Sequence, residues 1–491
     1  MHGKIIAASA ACIIATAALV MTTPGLTGSH STAAVSKPAP AAPQSTSATQ
    51  PAPATPPTPA GPVAPAGDAP TRGVPPTAPA LPPIETTPGD WQRDEAHLLR
   101  NHVQITRREM FLKAGEAYFS PDSKWIIFQA IPAPKVGTEP SPFYSMYAAE
   151  LVRDPAGHIV STRPPVLLSA AGSANTCGFF HPQTWATDLR YDVLFASTMT
   201  APSQDQPSGF RVGERTYKWL FPEEMEIVKG TLASVKVRSV NVQTREQSVT
   251  RSWEPYQIQP AFRHARYDAE CSYSPDGRYI VYARVRDAEA GPDADKEPGR
   301  PEVDIWIFDV QRQRHHPIVV ADGYDGGPFF SPDGKRLCYR SDRRGDDRLQ
   351  LFIADLAFDS DGAPTLVAEH QITDDSHVNW APFWHPSGKY LVYATSALGH
   401  DNYEVFAIEA DTTRPPAELR SRRVTHAAGA DVLPVFNREG NLMMWTAQRG
   451  IMAAGENRPS SQIWIAEVVP GGLDDPETFF ANAEKGEAPK Q

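Results

Sequence analysis

Cysteine is scarce in this chain of 491 residues: there are four. One of them, Cys12, lies in an N-terminal apolar segment. Cys177, Cys271 and Cys338 remain, an odd number scattered over a large region, which excludes a dense disulfide framework and leaves buried free thiols as the expectation. No lysine and arginine run interleaved with aromatics occurs, and the formal net charge is -11. Together these argue against nucleic acid as a partner. Also missing are H-E-x-x-H, a P-loop, a glycine-rich dinucleotide fingerprint, a paired C-x-x-C and a G-x-S-x-G nucleophile elbow. The motif-bearing enzyme classes drop out, while a site assembled from several parts of the chain stays open.

Large apolar residues are nearly absent between Pro38 and Pro88, where many of the 49 prolines fall. This stretch cannot form a core, and residues 37–96 read as a disordered Pro/Ala-rich linker, partly polyproline II. Ahead of it, Lys4 precedes an apolar run from Ile5 to Met21. Residues 1–36 therefore read as an export signal or an uncleaved N-terminal anchor, since the run is close to the short limit for spanning a bilayer and no decisive cleavage site follows.

What is abundant is one pattern. "GGPFFSPDGKRLCYRS" from Gly326 recurs as "GEAYFSPDSKWIIFQA" from Gly115, "CGFFHPQTWATDLRYDVLFAS" from Cys177 and "ECSYSPDGRYIVYAR" from Glu270. It returns again as "APFWHPSGKYLVYATS" from Ala381 and, degenerate, "LPVFNREGNLMMWTAQ" from Leu433. Two places before the proline position of the turn stands an aromatic every time: Phe119, Phe180, Tyr273, Phe330, Trp384 and Phe436. Phe128, Phe195, Tyr282, Tyr339, Tyr393 and Trp445 answer them on the returning strand.

The turn has a physical basis: Ser or His accepts at its first position, Pro presets φ, and Gly closes the loop in the left-handed region. His181 and His385, in the Ser place, are read as turn residues. Third strands follow at "EVDIWIFDV", "LQLFIADL", "YEVFAIEA" and "SQIWIAEV", with "EMEIVKG" as the third strand of the second unit; shorter fourth strands are expected at "HHPIVVAD", "HQITDD" and "RRVTHA". Six four-stranded units make an all-β, six-bladed β-propeller over residues 97–470, with 471–491 as a flexible C-terminal tail. The sixth unit has three strands of its own, and Asn101–Thr106 reads as its missing outer strand, closing the ring.

"SPDGKR" and "SPDGRYIVYA", each followed by short alternating strands, resemble the WD40-like (PD40) repeats of TolB-type six-bladed propellers. Periplasmic TolB carries an α/β domain where this chain has its proline-alanine tract, so its envelope role does not transfer as a whole. The resemblance implies a non-catalytic, monomeric platform, periplasmic or extracellular, that binds an envelope protein, a peptide segment or a glycan. Membrane contact would be confined to the N-terminal segment. Related propellers include oligogalacturonate lyases, which implies the alternative of a polysaccharide lyase holding a divalent metal, with His264 and His377 as candidate ligands.

Alignment on the turn also locates a candidate binding site. Seven places before the turn proline stand Ala114, Asn175, Asp268, Asp325, Asn379 and Asp431. Strand alternation would put Glu116 and Glu270, two residues further on, on the same face. One reading is that these Asx residues start strands by bonding nearby backbone. The other is a ring of oxygens at the channel mouth, binding a hard cation such as Ca²⁺ or a cationic partner segment.

Overall fold

The computed structural model describes residues 90–481, apart from 184–188, 204–208, 211–216, 219–220, 241–246, 287–301, 347, 453–455 and 457. The expected export segment, the linker up to residue 89 and the last ten residues lie outside the described residues.

The six repeated hairpins begin six sheets, five of four strands and one, in blade one, of five, because Ile159–Thr162 and Val166–Leu167 both pair with its third strand, Ser145–Arg153. Their innermost strands are Phe111–Phe119, Asn175–Phe180, Asp268–Tyr273, Asp325–Phe330, Asn379–Trp384 and Asp431–Phe436. Each of these touches the next, and the sixth touches the first, so the blades form a closed ring. Within blade three, Asp268–Tyr273, Tyr279–Val285, Val303–Asp309 and Arg314–Val319 run antiparallel from axis to rim. "EMEIVKG" opens the third strand of blade two, Glu226–Val240, as expected. The fourth strand of blade four, Pro364–Gln371, starts earlier than "HQITDD", and that of blade five is only Ser421–Arg423.

The repeated residues do what their chemistry suggests. In blade three, Ser274 Oγ accepts the Tyr279 N–H at 2.9 Å, and Gly277 takes φ 74°. In blade one the left-handed place falls to Ser123, at φ 55°. The turns also pack against one another: a Cβ on Gly277 would come within 2.4 Å of His181 Nε2 in the preceding blade. His385 likewise stacks on Tyr390 at 4.5 Å and meets Phe436 of blade six edge-on at 4.7 Å. All six return-strand aromatics are buried, each removing a large apolar surface between adjacent blades. Cys177, Cys271 and Cys338 are buried free thiols.

Ring closure follows the expected route, two residues early. Leu99–Gln104 pairs antiparallel with Gln462–Val468 as the outer strand of blade six. Two boundaries need correction. The span assigned to the linker ends inside structure, because Asp90–Glu95 is a helix whose Glu95 is buried. Arg449 explains this: its guanidinium bonds both Glu95 oxygens at 2.6 and 2.9 Å and also grips Asp431 of blade six. Trp91 covers the guanidinium from 4.3 Å. The tail, expected to be flexible from residue 471, instead forms the helix Pro476–Ala481. Phe479 and Phe480 are buried there against Tyr390, because blade five offers an aromatic surface that the ring leaves uncovered.

Replacing Arg449 by Leu strands two buried carboxylates, and chemical unfolding should show a loss of about 3–5 kcal/mol. Removing residues 1–106 should abolish cooperative melting, because blade six then lacks its outer strand. Burial alone would raise the Glu95 pKa, but the His102 hydrogen bond and the Arg449 charge outweigh it and hold it at about 2. A depressed carboxylate stabilises the fold above its unfolded value and loses that contribution as pH falls through its folded value. The stability gap between the native protein and Glu95→Gln should therefore be full above about pH 5 and close between about pH 4.5 and 2.

Candidate binding site at the propeller axis

Every innermost strand breaks register five residues before the turn's proline position, blade one also near its start. The interruptions fall between Gly115 and Ala117, Thr176 and Phe179, Ala269 and Ser272, Gly326 and Phe329, Trp380 and Phe383, and Val432 and Val435. At each stands a left-handed residue: Glu116, Cys177, Glu270, Gly327, Ala381 and Leu433, with φ of 46°, 54°, 56°, 60°, 52° and 57°. Five are not glycine, and a left-handed L-residue costs roughly 1–2 kcal/mol. These bulges turn six side-chain positions towards the axis, where they line one pocket.

The bulge separates residues that strict alternation would keep on one face. Glu116 and Glu270 line the pocket. Asn175, Asp268, Asp325, Asn379 and Asp431 are buried and engaged by nearby structure. Asp268 receives Arg284 through two bonds of 2.8 and 2.9 Å, and Asp325 receives Arg343 at 2.9 Å. Asp431 holds Arg449, Asn175 donates to the Tyr144 carbonyl, and Asn379 donates to Gln350 Oε1 and Asp375 Oδ1. The seven residues therefore divide into a pair of pocket carboxylates and five buried clamps. Among the described residues, no group of three or more His, Cys, Asp or Glu is placed to hold a metal ion. His264 stands 3.5 Å from Asp268 before blade three, and His377 precedes the inner strand of blade five.

Around the pocket the chemistry is two-sided. Blades one to four contribute Glu116, Cys177, Glu270 and Arg340, and the opposite wall is Ala381, Pro382, Leu433 and Pro434. Glu270 is heavily bonded: Tyr324 Oη donates at 2.7 Å, the Gly327 N–H at 2.6 Å and Arg340 Nη2 at 3.0 Å. Glu116 accepts only from Cys177 Sγ at 2.8 Å and Thr176 Oγ1 at 3.1 Å among the described contacts of its carboxyl group. Burial raises its pKa, partly offset by the thiol's hydrogen bond. Tyr144 is pushed up to about 12 by burial and by the Glu116 charge.

The pocket has a floor. Three places before the turn proline, Tyr118, Phe179, Phe329 and Phe383 cluster across the axis. Tyr118 and Phe329 come from diametrically opposed blades, yet their centroids are 5.6 Å apart. The remaining space is about 20 Å³, room for one water-sized group.

Fold and site together define a closed six-bladed β-propeller with a blind, acid-bearing axial pocket. No family model matches the chain. Over 115 residues it is 34% identical to dipeptidyl-peptidase 5 of Porphyromonas gingivalis, covering 23% of this chain and 16% of that protein. The chain spans about a third or less of the curated relatives it matches. Similar solved structures include a putative TolB from Agrobacterium tumefaciens, at 14% identity and TM-score 0.38, covering 72% of this chain and 90% of that one. An oligogalacturonate lyase from Vibrio parahaemolyticus, at 12% identity and TM-score 0.37, covers 75% and 93%.

A Cβ on Gly327 would lie 2.2 Å from Arg340 Nη1. Gly327→Ala should therefore cost about 2–4 kcal/mol, from backbone strain plus displacement of Arg340, whereas Ala381→Gly at the equivalent place should change stability by less than about 1 kcal/mol. Urea unfolding of both variants checks this contrast.

Proposed function

We propose that this chain is an exported, non-catalytic β-propeller that binds a protein partner in the cell envelope by taking a cationic group into its axial pocket. The observation that carries the reading is Glu116: a half-buried carboxylate at a strained bulge, lining a blind pocket and making no salt bridge of its own among the described residues, with only the charge of Arg340 reaching it. Two carboxylates share the single guanidinium of Arg340. The apolar wall opposite suits the methylenes of a lysine or the flank of an N-terminal amine, and the space admits a primary ammonium.

The direct test is calorimetric titration with a short peptide bearing a free N-terminal amine and a lysine, against the same peptide acetylated at both amines. The free peptide should bind, and the acetylated one should not. Glu116→Gln should weaken binding at least tenfold while preserving the melting temperature. Because burial raises the Glu116 pKa, affinity should fall as pH is lowered towards that value, and Glu116→Gln should flatten the dependence. Equal binding by both peptides would refute the site. A manganese-dependent rise in unsaturated-product absorbance with oligogalacturonate would overturn the non-catalytic reading in favour of a lyase.

A further inference from the structure

Blade two is built unlike the other five. Its second strand, Arg190–Ser197, pairs with the third only as far as Arg190↔Ala233. The third and fourth strands continue together for seven more pairs, from Ser234↔Trp253 to Val240↔Gln247. At about 3.4 Å per residue, this two-stranded arm runs roughly 23 Å beyond the blade, on the side of the hairpin turns and away from the pocket mouth. Its root is fixed. Trp253 packs on Trp125 at 4.8 Å and on Tyr191 at 5.7 Å. A bulge with Gln257 at φ 53° sits against Gly230, where a Cβ would come within 2.2 Å of Ile258 Cδ1.

Two independent features of the arm remain unsatisfied. The first is charge. Lys236 lies directly opposite Arg251, and Arg238 opposite Val249, so three exposed cations share the face that carries Trp253. Among the described residues none of the three has an acidic partner, although the whole chain carries a net charge of -11. Like charges directly opposite each other destabilise a strand pair. The second is the edge. The Ser234 N–H bonds the Leu189 carbonyl at 2.9 Å, which fixes the direction of the backbone groups two and four residues on. Those of Lys236 and Arg238 point away from the fourth strand, Gln247–Pro260, towards the side where the second strand has ended, with no strand beside them among the described residues.

We infer that the arm is a docking edge for an extended acidic segment of a partner protein, which adds as a strand beside residues 235–240. Backbone groups of Lys236 and Arg238 pair with it, and every second side chain, Asp or Glu, meets the cationic face. This surface is independent of the axial pocket.

The probe is an octapeptide of alternating Glu and Thr, capped at both ends, titrated into the full chain by fluorescence anisotropy. Binding should weaken with salt, and hydrogen exchange at the Lys236 and Arg238 amides should slow by at least tenfold. Lys236→Glu with Arg251→Glu should weaken binding at least tenfold at unchanged melting temperature. Lys236→Gln with Arg251→Gln gives the same reading without introducing an opposed acidic pair. The inference falls if a peptide of four Glu followed by four Thr binds equally well without amide protection. It also falls if both substituted proteins bind as the native one does, or if phosphatidylglycerol vesicles bind while the octapeptide does not.

Discussion

A propeller blade is apolar on both faces, so no blade is stable until each face is covered, and the whole structure depends on the ring having no ends. This requirement explains the conserved geometry within the chain: a large aromatic on each return strand fills the wedge between neighbours, and the turns nest glycine against the preceding His or Pro. It also explains where the exceptions lie. Blade six borrows its outer strand from the N-terminal side, and a single buried guanidinium, shared by Glu95 and Asp431, locks the preceding helix over the seam. Such a triad is costly to desolvate and costlier to break, which suits a latch better than a source of net stability.

The same repeat that makes six blades equivalent also makes the axis chemically uneven. Six positions share one backbone conformation, yet their side chains run from carboxylate and thiol to glycine, alanine and leucine. The backbone supplies the aim, and the individual residues supply the chemistry. Strain at these bulges is tolerated because the flanking strands over-determine the conformation, and strained positions gathered around one pocket are a physical sign of function.

The blades were legible in the sequence because turn chemistry and alternating aromatics repeat with the same spacing six times. The closing strand was legible because one blade was a strand short. The bulges were not read, although they leave a trace: Pro328, Pro382 and Pro434 stand inside innermost strands, where a residue without an N–H marks a break in the ladder, and Gly327 precedes one of them. That trace would have separated Glu116 and Glu270 from the Asx positions. The contact between Glu95 and Arg449 spans 354 positions. Neither local periodicity nor a six-residue helix announces a pairing so distant. Phe479 and Phe480 sat in a short polar stretch whose composition concealed their burial.

The closing strand also sets a timetable. Arg100 meets Glu467, 367 positions later. At ribosomal speeds of about 5–20 residues per second, the first strand made waits on the order of 20–70 seconds for its partner. Until then blades one to five can stack in sequence, but the open seam leaves two adhesive surfaces, the edge of the last blade and the bare face of the first. A nascent chain of this design is most prone to pair with its neighbours shortly before it is complete, so translation rate and chaperone occupancy near the C-terminal end bear directly on its yield.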